Sequence, residues 1–451
     1  MRGYNYPLGK LIQKGLRTDR SNQRNSDGLI ECFNLKPHIS GLIAYEELSS
    51  LFTDLEFIWP YPQAIMTSKF RWMLTVDKIY SADTDWNVIL AQNSEPGDLW
   101  DVADFGDYLL FCNGTRLVER SSAGVFSSNT SLSTVPLALS ICNFNGQLIA
   151  GNIKSEWYDC DESFVAWGRI GAIDMTPDGS NVAGYRPMPW KGGVRKVAKL
   201  GNAVIVYCEN GVGLLSPFNQ TFGLQELLSV GVPCKGAIGG DELSQVFVDN
   251  DNYLWEIGAD LKAKRLGYQE FMESLNSDSI VVSLQPKSRE FYISDGVHSY
   301  LLTPFGLCKV YQRPSSVVSD GVINYGTFDT TVEDEDLEAR LTTDKLDFGV
   351  KGMKTVEGVE FGMEIDPYAK AYGSIDYCYD GSGVFDRSDW LLLNPEGQCA
   401  PMVTAPEVRI CFKVDDFAEV KVDSANVGIK FPDRRFRRGA YAIETNARSG
   451  E

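Results

Sequence analysis

The sequence predicts an all-β chain. A β-propeller of about six blades is followed by a small antiparallel β-sandwich-like domain, with extended arms at both ends. Three observations predict this. First, one hairpin pattern recurs: about four apolar-rich residues, a polar turn, then a second strand. It starts near 71, 107, 147, 203, 245 and 290, at spacings of 36, 40, 56, 42 and 45 residues. Second, most copies follow a further strand-like stretch, so each unit holds about four strands. Units of roughly 40–45 residues with four strands each are the spacing of propeller blades, which bury their faces only by stacking around an axis. Third, beyond residue 330 the texture changes to apolar–polar alternation at period two, the mark of a half-buried antiparallel sheet.

The elements follow in order. Residues 1–50 read as an N-terminal extended arm and 51–329 as the propeller. In the middle, GNAVIVYCENGVGLLSPF at 201–218 gives an apolar run, a Glu-Asn-Gly break and a second apolar run. Asn-Gly tolerates the positive φ of a twisted two-residue turn, so a tight hairpin is expected there. The long 56-residue interval points to an insertion near 174–193, which is rich in Gly and Pro. LEFIWPY at 55–61 or GLIAYEEL at 41–48 could pair with the last blade and close the ring. The count could be five, six or seven blades, since INYGTFD at 323–329 could finish another one. TTVEDEDLEAR at 330–340 is an acidic linker that opens the C-terminal β domain, 330–432. Residues 433–451 form a basic tail. GYQEFMESL at 267–275 is the best helix candidate.

Charge is uneven. The chain carries 42 basic and 61 acidic residues, a net −19. Residues 1–24 hold six cations against Asp19 alone, which gives +5, and 433–451 hold five arginines against three acids, which gives +2. Removing that 7 from −19 leaves −26 on the body. Tight nucleic-acid binding needs Lys and Arg to displace counterions, so an acidic body repels it. The basic ends read as docking arms for something acidic. Arg17, Arg20 and Arg24, with Arg434, Arg435, Arg437 and Arg438, are therefore the expected assembly contacts.

Ten scattered cysteines without a CxxC pair read as buried free thiols of a reducing compartment. No apolar run reaches the roughly 20 residues of a membrane helix. The N-terminus lacks a signal-peptide core, so a soluble chain made without Sec export and without membrane insertion is expected.

Chemistry is sparse. His38 and His298 are the only histidines, and no nucleophile–base–acid arrangement can be built around either. GVGLL at 211–215 lies in a hairpin, not between a strand and a helix, so it is no phosphate loop. Asp249, Asp251 and Asn252 lack the glycine and glutamate of a calcium loop, and Glu333 to Asp336 read as a solvated run. YDGSGVFDRSDW at 379–390 is similar to an aspartate box, but occurs once and outside the repeats. No catalytic residue, cofactor or metal site is expected, and the chain is read as no enzyme.

VAKLGNAVIVYCENGVGLLSPF, VGVPCKGAIGGDELSQVFVDNDNYLWEIG and the C-terminal order VEGVEFGMEI, SIDYCYDGSGVF, EVRICFKV, VKVDSANVGIKF carry a resemblance. Their order, behind the polar arm GLRTDRSNQRNSDGLIECFNLKP, resembles the tail-nozzle, or packaged-DNA stabilisation, proteins of short-tailed bacteriophages. The Arg-rich tail departs from that pattern. The resemblance implies a structural virion protein, assembled in the host cytoplasm into the tail. It implies a homohexameric tube below the portal and adaptor rings that retains packaged double-stranded DNA and conducts it during ejection, without sequence-specific binding. Implied partners are the adaptor ring, a tail fibre or spike, and a needle or plug protein. An acidic lumen suits a conduit, because it lets the duplex slide. The alternative is a receptor-binding or host-glycan-binding tail protein, which exposed aromatic clusters with Asn and Asp would favour; Trp157, Trp167 and Trp190 lie near the expected insertion, but propeller cores also use tryptophan and that is the better reading of them. A propeller glycosidase is the third reading.

Overall fold

The computed structural model describes residues 4–18, 28–51, 55–129, 132, 134–154, 161–178, 181–219, 221–329, 338–350, 352–415 and 419–431. The chain divides into two compact units. One comprises Leu48–Ser299 and Gln312–Val332; the other comprises Met1–Glu47, Tyr300–Tyr311 and Glu333–Glu451.

The first unit is a six-bladed β-propeller. Five blades are four-stranded antiparallel sheets, spanning 63–93, 101–129, 137–187, 194–228 and 238–267. The sixth has three strands: Ser316–Ser319, Asn324–Thr327 and, paired parallel to the latter, Ser49–Ser50. Between the fifth and sixth blades the hairpin of Val281–Gln285 and Glu290–Ser294 fills a further sector of the ring. The closing strand is therefore Ser49–Ser50, not 55–61 or 41–48. Two serines carry no hydrophobic alternation, which is why the pattern of the sequence passes over them. Gly184–Pro187, within the expected insertion, is the outer strand of the third blade.

Stacking explains the composition of the blades. Ala203–Cys208, the second strand of the fourth blade, is buried at every position because neighbouring blades cover both faces. Burying a Val, Leu or Ile side chain contributes about 1.5–3 kcal/mol, so such a strand gains on both faces at once. Aromatic side chains bridge consecutive blades edge to face: Trp72 meets Phe111 at 5.2 Å, Phe144 meets Phe222 at 5.7 Å, and Tyr207 meets Phe247 at 5.2 Å. The Tyr207 hydroxyl donates to Gln245 Oε1 at 2.9 Å, so its polar tip is satisfied inside the core.

The hairpin turns are tied by aspartates. Asp241, Asp295 and Asp320 each accept the backbone N–H groups two and three residues on, the Asx-turn chemistry that fixes a reversal locally. The hairpin at 201–218 forms as expected, but not by the expected turn. Its turn residues are Glu209 and Asn210, and neither Asn210 nor Gly211 adopts positive φ. Gly211 is glycine for space: a Cβ there would stand 2.1 Å from the Trp190 ring.

The second unit holds two sheets. Residues 1–50, read from the sequence as an arm, contribute several strands to them. One sheet runs Leu35–His38, Gly41–Ala44, Lys421–Lys430, Lys354–Glu364 and Gln398–Cys399, with Tyr4–Pro7 on Lys421–Lys430 and Val403–Ala405 on Lys354–Glu364. The other includes Gly306–Lys309, Leu29–Phe33, Ala339–Thr343, Glu407–Val414 and Ala371–Cys378. Phe361 of the first packs on Phe412 of the second at 4.9 Å, so buried faces meet as in a sandwich. Helix is confined to Gly9–Ile12 and Gln269–Met272 among the described residues.

Candidate functional site

The innermost strands of the propeller are joined to one another around the axis. Ala64 N–H of the first blade donates to Ser316 Oγ of the sixth at 2.8 Å. Trp100 N–H, entering the second blade, donates to Gln63 Oε1 of the first at 2.8 Å. Ser140 Oγ of the third blade donates to Asp101 Oδ2 of the second, and accepts Val197 N–H of the fourth at 2.9 Å. Lys196 Nζ of the fourth donates to Ile238 O of the fifth at 3.0 Å. Val282 N–H of the extra hairpin donates to Gly236 O at 2.8 Å, and Ser283 Oγ donates to Ser315 O at 3.4 Å. Every step around the ring thus has its hydrogen bond.

Lys235 occupies the centre. It lies in the connection into the fifth blade, yet its Nζ donates to Leu99 O at 2.6 Å and Leu139 O at 2.7 Å, beside the second and third blades. Asp101 Oδ2 stands 3.2 Å away, and the Lys235 side chain is only 1% exposed. The side chain therefore crosses the axis, and its charge is met by a carboxylate and two carbonyls. A buried ammonium is tolerable only with partners of this kind.

Lys196 lies in the same cluster. It keeps part of its surface exposed, while desolvation around its ammonium lowers its pKa from the ordinary value; Asp101 opposes the shift and Lys235 adds to it. A lysine held below 10.5 costs stability while charged, and the unfolded chain binds more protons than the native one in that interval. Stability contributed by this group therefore rises as pH climbs from the lowered value towards 10.5. Lys196→Met should remove that alkaline gain from urea-unfolding midpoints. The buried thiols of Cys112 and Cys208, pushed up to about 11 and about 12 by burial, act in the opposite sense. The readout is therefore the difference between the two proteins across the alkaline range; a difference independent of pH would assign the titration to another group.

Both faces of the propeller carry acidic turn residues. Turns between second and third strands, together with the connections between blades, carry Glu95, Asp98, Asp251, Glu270, Glu273 and Asp278. On the opposite face, large apolar side chains stand exposed at or beside turn tips: Val125, Ile170, Phe218, Leu243 and Val322. Two ion pairs there link neighbouring sectors, Lys69–Asp107 at 2.8 Å and Arg289–Asp241.

Of the arginines expected to dock, Arg17 is described: its Nη1 pairs with Asp344 Oδ2 at 2.7 Å, with the carboxylate only 3% exposed. Arg20, Arg24, Arg434, Arg435, Arg437 and Arg438 lie outside the described residues, as do Trp157 and the run Glu333 to Asp336. Trp167 is core, its Nε1–H donating to Val182 O at 2.9 Å, and Trp190 covers Gly211. His38 Nδ1 lies 2.8 Å from Ser40 Oγ. The Asp249 carboxylate, raised mainly by burial, accepts Asp251 N–H, Tyr253 N–H and Trp255 Nε1–H, so it ties its own turn. In YDGSGVFDRSDW, Arg387 forks onto Asp376 at 2.6 and 3.0 Å and lies over Trp390. No three His, Cys, Asp or Glu side chains converge as a metal cage among the described residues.

Sequence reasoning missed Lys235 and Lys196. The one signal was a lysine inside the small, apolar stretch VGVPCKGAIGG.

A scan of protein-family models finds no match, and neither does a search of curated proteins. Among solved structures the chain is similar to the Pan2 WD40 domain of Neurospora crassa, at 8% identity and TM-score 0.38 over 59% of this chain and 86% of that one. A streptogramin B lyase is similar at 14% identity and TM-score 0.36, over 57% and 86%. Hsv2 of Kluyveromyces lactis gives 9% identity and TM-score 0.35, over 60% and 86%. The likeness is one of fold.

Proposed function

We propose that this protein is a structural component of a short-tailed phage virion, a tail nozzle that assembles as a homohexameric ring or tube and conducts packaged DNA. The observation that carries the structural reading is the closed axis. Where a propeller can admit a ligand, Lys235 fills the centre, bonded to Leu99 O and Leu139 O and paired with Asp101. The propeller is thereby a rigid block, and DNA passes through the space between copies. The net charge of −19 suits a wall along which a duplex slides without gripping. Exposed apolar tips on one face supply surface for burial against neighbouring chains.

The solution mass of the purified protein, alone and mixed with the ring proteins encoded beside it, tests this reading. A hexamer-sized or ring-sized species is the expected result. A protein that stays monomeric with those partners overturns it and favours a receptor-binding or glycan-binding tail protein.

A further inference from the structure

The solvent face of the sheet that holds Lys421–Lys430 carries a groove of about 490 Å³. Gly428 pairs directly with Gly358 on the next strand, and Asn5 faces Gly428 from the other side. Two residues along the same face, Asn426 pairs with Glu360, which pairs with Gln398. The result is a floor of two glycines bordered by Asn5, Asn426, Glu360, Gln398 and Asn394.

Gly358 follows a break in register after Val356, a place where glycine is common, whereas Gly428 lies in regular pairing. Neither has positive φ. A Cβ on Gly428 would come no nearer than 3.6 Å to Gly358 O, and one on Gly358 no nearer than 3.4 Å to Cys399 O. Mid-strand glycine costs roughly 0.5–1 kcal/mol relative to alanine, and in a strand it often marks where a ligand or another backbone comes close.

The border selects the ligand. Asn394 Nδ2–H donates to Gln398 Oε1 at 3.5 Å, and Gln398 Nε2–H donates to Glu360 Oε2 at 3.3 Å, so one side is a prearranged chain of planar groups. On the other side no protein group bonds the side-chain amides of Asn5 and Asn426 among the described residues. Each offers an acceptor oxygen and two donor hydrogens. Among the described residues no lysine or arginine lines the groove, and Glu360 repels anions, which disfavours phosphates and nucleic acid. The carboxylate is already bonded to Gln398, so it is no dedicated cation site. What remains is a neutral ligand rich in both donors and acceptors. A flat ring can rest on the peptide planes because no Cβ stands on the floor.

We propose that this groove binds a neutral carbohydrate, one to two sugar rings lying over Gly358 and Gly428, with hydroxyls bridged by Asn5, Asn426 and Gln398. The site goes beyond the nozzle reading and does not depend on the oligomeric state of the protein.

The test uses an array of neutral hexose and N-acetylhexosamine oligosaccharides, probed with the full chain and two variants. Wild-type protein should be retained on at least one glycan. Asn426→Ala should weaken that retention at least tenfold with an unchanged unfolding midpoint. The Gly358→Ala/Gly428→Ala variant should also lose retention, while its unfolding midpoint rises, because alanine fits both backbones and restricts the unfolded chain. Absence of wild-type retention on every glycan overturns the proposal. So does retention that both variants keep.

Discussion

Lys235→Ala should lower propeller stability by about 3–5 kcal/mol, the cost of breaking a buried pair and leaving its partner charge behind. The substitution leaves Asp101, whose side chain is 12% exposed, without its ammonium and with Ser140 as its remaining donor, and removes the donor of Leu99 O and Leu139 O. At roughly 2–4 °C per kcal/mol for a unit of this size, the unfolding midpoint should fall by about 6–20 °C. Lys235→Met fills more of the space but leaves the same carboxylate without a countercharge, so it should rescue little. Lys235→Met combined with Asp101→Asn should recover part of the loss, and the cycle of single and double variants measures the coupling. Strict additivity would mean that Lys235 acts by filling volume, not by pairing.

If the protein assembles into the ring we propose, reversing Arg434, Arg435, Arg437 and Arg438 to glutamate should abolish ring formation and incorporation while leaving the unfolding midpoint unchanged. Four reversals turn the +2 segment 433–451 into one of −6, against a body that is itself acidic. Like charges brought together across an interface cost several kcal/mol, far beyond the loss of a favourable rim contact. Raising salt should restore partial assembly if screening relieves the repulsion. Normal assembly of the reversed protein would remove the tail from the interface. The same reversal at Arg17 would read differently, since Arg17 is paired with the nearly buried Asp344 and its loss should act on stability.

The fold was legible where local pattern decides it. Val204, Val206 and their neighbours on the fourth blade alternate with nothing polar because both faces are covered, and a run of that length bounded by turn residues is visible in one sequence. Asn324–Thr327, within the doubtful stretch 323–329, became part of the sixth blade. What lies between distant residues was not legible. Ser49 and Ser50 join the last blade through backbone pairing alone, for which their side chains give no signal. The central cluster was hidden for the same reason: Lys235 meets Leu99 across 136 positions and Leu139 across 96. The groove needed the register of two strands before Gly358 and Gly428 became neighbours, and of a third before Asn5 joined them.

The bond between Ala64 and Ser316 spans 252 positions, and this separation has a cost in time. A ribosome adds about 5–20 residues per second, so Ala64 emerges roughly 12–50 s before its partner exists. Through that interval the first blade has one flank uncovered, with Ser49 and Ser50 waiting for Asn324–Thr327. Early blades can stack as they emerge, but the circle closes only with the last strand. Premature release, or a stop before residue 316, leaves an open stack with apolar flanks, and such chains are aggregation substrates. The clasp that makes the finished ring rigid thus makes its synthesis all-or-none.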